Sequence, residues 1–155
     1  MGRMRLGTFS CESDDLEIHF RQCLGSGVVI QPRAEQLLRK HFPTKGIRFR
    51  GDFVQTSVLD FGNGETLEQM LHPQQAHDLI PPAAIAPFFL MEYRELLVGN
   101  SIILLGNPIQ DAGLYFLFRL IRDSEPLQRW SISAMQVERL DAKFAANCQL
   151  IVCEK

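Results

Sequence analysis

The chain has 155 residues, 46% hydrophobic and 22% charged, with a formal net charge of −2. That length gives one domain, residues 1–155, a core of its own without disulfide staples. The charge argues against bulk attraction to nucleic acid or to an anionic membrane, and no window approaches the roughly 20 apolar residues that span a bilayer.

Residues 3–9 read as a short strand. Asp14 then opens a helix, with Glu17 three residues on in a capping box. Leu16, Phe20, Cys23 and Leu24 form its apolar stripe, and Gly25 is the expected stop. Val28 to Ile30 is a brief extended piece. Pro32 suits a first helical position. Ala34, Leu37, Leu38 and His41 make a second stripe, which Pro43 ends.

From Gly46 the period becomes two. Ile47, Phe49 and Phe53 share one parity, while Val54, Thr56 and Val58 share the other. The phase slips near Gly51-Asp52, which predicts a bulge or a tight hairpin. Asp60 to Gly64 is a turn. A short helix from Glu65 to Leu71 should stop at His72-Pro73. The proline-rich stretch 72–87 is the only candidate lid or linker. Phe89, Leu90, Tyr93, Leu96 and Leu97 recur at helical spacing and predict a helix over 88–98, with Gly99 as its stop.

The last third reads as four strands joined by turns. They are 101–105, ended by Gly106-Asn107-Pro108, then 114–121, 130–138 and 148–154. The run Leu114 to Ile121 is apolar at every position but Arg119, so it belongs inside a sheet. Short connections favour antiparallel pairing of neighbours. The expected fold is therefore α+β: a mostly antiparallel sheet of five to six strands, with two N-terminal helices and a central helical insertion packed on it. One sheet face is expected to stay uncovered. A homodimer through that face or the 88–98 helix, with Tyr115 or Trp130 near the contact, would bury it.

Cys11, Cys23, Cys148 and Cys153 fall in apolar-patterned segments without zinc-knuckle spacing. They read as reduced thiols of a cytoplasmic protein. The N-terminal residues lack the apolar core of a secretory signal.

Four residues stand out as ligand or partner contacts: Arg119, Tyr115, Trp130 and Tyr93. A guanidinium cannot be neutralised, so Arg119, if buried, needs a carboxylate or an anionic ligand. The ordinary alternative is an arginine whose packed stem carries its head to water. The aromatics would supply amphipathic contact area.

Asp60, Glu65, Glu68, His72, His77 and Asp78 carry metal- and proton-handling chemistry, but His72 and His77 cannot share a helix face. Arg33, Arg39, Lys40, Lys45, Arg48 and Arg50 face one acid, Glu35, within 33–50, and read chiefly as a solvated basic face. No nucleophile elbow, phosphate loop or dinucleotide fingerprint occurs. The sequence thus points to a non-enzymatic cytosolic binding module, sensory or regulatory, for a protein partner or a small ligand. No cofactor or catalytic residue is assigned. The alternative is a small hydrolase or metal-dependent enzyme using the acids and histidines of 60–78.

Overall fold

In the computed structural model, residues 2–41, 46–75, 83–124 and 126–154 are described. They form an α+β fold around a mixed sheet of seven strands. The strands are β1 (Met4–Ser13), β2 (Val29–Ile30), β3 (Ile47–Ser57), β4 (Ser101–Asp111), β5 (Leu114–Arg122), β6 (Trp130–Val137) and β7 (Gln149–Cys153). The helices are α1 (Leu16–Ser26), α2 (Pro32–His41), α3 (Val58–Phe61), α4 (Leu67–Gln75) and α5 (Ala86–Tyr93), with a 3-10 turn at Ala83–Ile85.

The strand order is β1-β3-β7-β4-β5-β6-β2. β1–β3, β3–β7, β4–β5 and β5–β6 are antiparallel. β4–β7 and β2–β6 are parallel. The expected closing meander is therefore broken. After β6 the chain leaves its neighbour and inserts β7 between β3 and β4. The residues between β6 and β7 make that detour possible, because a parallel joint needs a crossover and a tight hairpin does not.

Several boundaries differ from the sequence reading for local reasons. Asp15, not Asp14, caps α1: its carboxylate accepts from Glu17 N and Ile18 N at 2.9 and 3.4 Å. α1 continues through Gly25 and ends at Gly27, whose φ of 86° is the left-handed conformation that glycine adopts freely. α4 runs past Pro73 but ends two residues beyond it, at Gln75. α5 stops at Tyr93, short of the predicted 98. β4 runs through Gly106-Asn107-Pro108, where the register with β5 shifts between Leu104 and Ile109. A bulge tolerates the donor that proline lacks. Of the expected lid, 72–75 belong to α4, and 83–87 form the 3-10 turn and the start of α5, with Ile85 and Ala86 buried in the first core; residues 76–82 lie outside the described residues.

The apparent slip at Gly51-Asp52 is neither bulge nor hairpin. β3 pairs without interruption from Ile47 to Asp52 with β1. Its inward row is Phe49-Gly51-Phe53, and Cys153 Sγ fills the space a side chain at Gly51 would take. From Phe53 on, both faces of the strand are buried, so the alternation disappears.

The sheet has a core on each side. On the first face, Phe20 and Cys23 of α1, Leu37 and Leu38 of α2 and Phe88, Phe89 and Leu90 of α5 pack over Phe53, Ile102, Leu104, Phe118, Leu120 and Ile151. On the second face, Leu67, Met70 and Leu71 of α4 cover Val54, Ile103, Leu105, Leu117, Leu150 and Val152. The residues after β6 complete this layer, with Leu140, Ala142 and Phe144 packed against it. Phe144 N donates to Glu65 O at 2.8 Å and Glu68 N to Leu140 O at 2.9 Å, which straps that segment to α4. The face expected to be uncovered is thus partly covered, and the homodimer argument keeps only its β5–β6 end. Among the described residues, no helix is long and apolar enough to cross a membrane.

Candidate functional site

β5 and β6 lie antiparallel, with Arg119 opposite Ser133, Leu117 opposite Met135 and Tyr115 opposite Val137. Successive strand residues point to opposite faces. Phe116, Phe118 and Leu120 therefore enter the first core. Tyr115, Leu117 and Arg119 look out on the second face. Leu117 is sealed beneath the second layer, but Tyr115, Arg119, Ser133 and Met135 are only half-buried.

Arg119 is the anomaly of this face. Its Nη2 donates to Met135 Sδ at 2.9 Å. Its Nε is buried and has no hydrogen-bond partner. No acid among the described residues forms an ion pair with it, although ion pairs hold Arg3, Arg33, Arg39, Arg48, Arg129 and Arg139. A thioether is a weak acceptor, while a guanidinium has five N–H donors. A buried donor left unmatched costs free energy, commonly about 1–3 kcal/mol. Cys148 lies within electrostatic reach: burial pushes its thiol up, and the Arg119 charge pulls it back.

The four residues expected to make contacts do not converge. Tyr115 shares the face with Arg119 but sits four residues along the same strand, about 13 Å away at strand spacing. Trp130 is buried in the first core, and the Arg122 guanidinium lies 5.3 Å from its ring centroid. Tyr93 is also in that core, its ring 4.9 Å from Phe89 and 6.1 Å from Phe9. Across the pairs Arg119 stands between Ile103 of β4 and Ser133 of β6, with Met135 on the diagonal as its hydrogen-bond partner. Only pairing register brings Met135 there, and a register across the 123–129 connection cannot be read from one chain. The half-polar alternation of Ser131, Ser133 and Met135 was the one available signal.

The other candidates disperse or are satisfied internally. Asp60, Glu65, Glu68 and His72 are exposed, while His77 and Asp78 lie outside the described residues. Among the described residues, no three His, Cys, Asp or Glu side chains converge to hold a metal ion. The basic segment is largely answered by acids from elsewhere. Arg39 pairs with Glu17 and Glu35, and Arg48 with Glu12. Arg33 and Lys40 reach Asp111 at 3.1 and 2.5 Å, and His41 Nε2 lies 3.4 Å from the same carboxylate. Lys40, followed by Arg33 and His41, holds the Asp111 carboxyl down to about 2 against its partial burial. This cluster ties α2, from its first turn at Arg33 to its last at Lys40 and His41, to the β4–β5 hairpin and is structural in geometry.

A cleft of about 580 Å³ opens elsewhere, between Arg3, Arg5, Asp52, Phe61, Asn63 and Glu154. Arg3 pairs with Glu154 and Thr8 donates to Asp52 there, so those charges have partners within the protein. Arg119 lies outside this cleft and is the less satisfied group, which makes it the stronger candidate.

The fold and site define an α+β arrangement with a mixed seven-stranded sheet and, on its half-open side, an arginine unmatched by any acid among the described residues. Comparison with protein-family models, curated proteins and solved structures finds no match.

Proposed function

We propose that this protein is a non-enzymatic binding module for a small ligand bearing a carboxylate or phosphate, anchored by Arg119. The observation that carries the reading is the buried Arg119 Nε with no hydrogen-bond partner, on a guanidinium that forms no ion pair among the described residues. Such a group destabilises the free protein, and an anionic oxygen matches its fork of donors. Ser133 would add a hydroxyl, and Met135 a deformable apolar wall. A sensory or regulatory role fits a site that binds without converging acid–base groups. The four cysteines form no disulfide, which suits a reducing, cytosolic setting.

Thermal unfolding at constant ionic strength tests it, with acetate, succinate and inorganic phosphate as probes. Binding to the folded state alone raises Tm with ligand concentration. A saturable rise with at least one probe, abolished in Arg119→Met, is the expected result. Equal responses in the two proteins would refute the assignment of Arg119.

A further inference from the structure

The cleft of about 580 Å³ at the β1 end of the sheet holds opposite charges that do not meet. Val54 of β3 packs in the second core, so its cross-strand neighbour Arg5 and the residue two before it, Asp52, share that face. Thr8 of β1 stands opposite Asp52. On the other side Glu154 N donates to Asp52 O at 2.7 Å, which sets Glu154 beside it. The floor of the cleft therefore has two rows. Arg5 and Val54 form one; Thr8, Asp52 and Glu154 form the next, about 7 Å away at strand spacing. Phe61, at the end of α3, lines the same cleft and is partly buried against the second core.

Arg5 is exposed and Asp52 half-buried, and neither forms an ion pair among the described residues. The Thr8 hydroxyl donates to one oxygen of Asp52 and leaves its charge uncompensated. Glu154 differs, because Arg3 already pairs with it. One cation and one anion thus remain open at neighbouring rows of a single cleft, beside an aromatic ring.

We propose that this cleft binds a free α-amino acid with an apolar side chain, its carboxylate on Arg5 and its ammonium on Asp52. A simple anion that reaches Arg5 lies close to the Asp52 charge, and a simple cation at Asp52 lies close to Arg5. Only a ligand carrying both charges a few atoms apart gains at both ends. The guanidinium fork matches a carboxylate, and the second oxygen of Asp52 accepts an ammonium N–H. A single uncompensated acid suits a single ammonium and gives a diamine nothing more. The apolar side chain of the ligand falls against Phe61. This site is at the opposite end of the sheet from Arg119 and does not depend on it.

The test follows backbone amide shifts of the full chain at fixed pH and ionic strength. Its probes are L-leucine and L-phenylalanine, with N-acetyl-L-leucine, which lacks the ammonium, and L-leucinamide, which lacks the carboxylate. At least one free amino acid should give saturable shifts centred on residues 5, 52–54 and 61–63. Each one-charge analogue should bind about tenfold more weakly, the size expected for losing one favourable charge contact. Arg5→Gln, at an exposed position, should weaken the amino acid to a similar degree without weakening leucinamide. Asp52→Asn, which keeps an acceptor for Thr8, should weaken it without weakening N-acetyl-leucine. Arg119→Met should leave it unchanged, which keeps the two sites apart. No saturable response to either amino acid would overturn the proposal, as would equal affinity for leucine and its one-charge analogues. Shifts that avoid residues 5 and 52–54, or binding lost in Arg119→Met, would overturn it as well.

Discussion

The Arg119 guanidinium and the Met135 thioether meet across β5 and β6 at 2.9 Å, a strong donor facing a weak acceptor. This contact leaves Arg119 Nε buried and unmatched. Replacing a poorly matched buried polar group by an apolar one of similar length is commonly neutral or stabilising. Arg119→Met should therefore keep or raise the urea midpoint, by a gain of up to about 1–2 kcal/mol. A loss above about 1 kcal/mol would show that the guanidinium serves the fold and not a ligand.

Phe118 is 1% exposed, in the row of β5 that faces α1, α2 and α5. Phe118→Ala should cost about 3–5 kcal/mol, much of a small domain's stability. Leu114, on the same face but 38% exposed, gives the contrast. Its alanine variant should stay within about 0.5 kcal/mol of the parent. Similar losses in the two variants by urea titration would mean that the first core does not centre on β5.

Asp111 makes stability depend on pH in a defined direction. Its folded-state pKa is depressed from 3.8 to about 2, chiefly by the hydrogen bond from Lys40. A depressed carboxyl contributes stability that is present above its unfolded value and is lost as pH falls through the folded one. The gap in urea midpoint between the parent and Asp111→Asn should therefore be constant above 3.8 and close as pH approaches 2. A gap that persists unchanged to pH 2 would contradict the Lys40–Asp111 staple.

Local pattern revealed more of this fold than of its long-range pairing. The α+β class, the stripe of α2, the start of α1 to within one residue and the place of Leu114 to Ile121 inside the sheet follow from period and capping, which are local physics. β2 was legible only as the brief extended piece Val28 to Ile30, because two residues carry too little pattern to show that they join the sheet beside β6. The insertion of β7 beside β3 was also invisible, since nothing in 138–148 signals a crossover rather than a turn. β4 looked shorter than it is because Gly106 and Pro108 read as a stop, and a bulge can hold both. Arg119 was legible as one charge in an apolar run. Its lack of an acid partner was not, because that depends on which side chains other strands bring to its face.

The central claim is that Arg119 holds an anionic group, and the Arg119 Nε–H resonance reports on it most directly. In the protein labelled with 15N-arginine, that signal should be assigned by its loss in Arg119→Lys and followed through titration with acetate, succinate and phosphate at fixed ionic strength. The account predicts a saturable downfield shift with at least one probe, while arginines already paired with carboxylates, such as Arg33, respond little. A shift that never saturates, or one shared equally by every exposed arginine, would mean general screening and would contradict the anchoring role of Arg119.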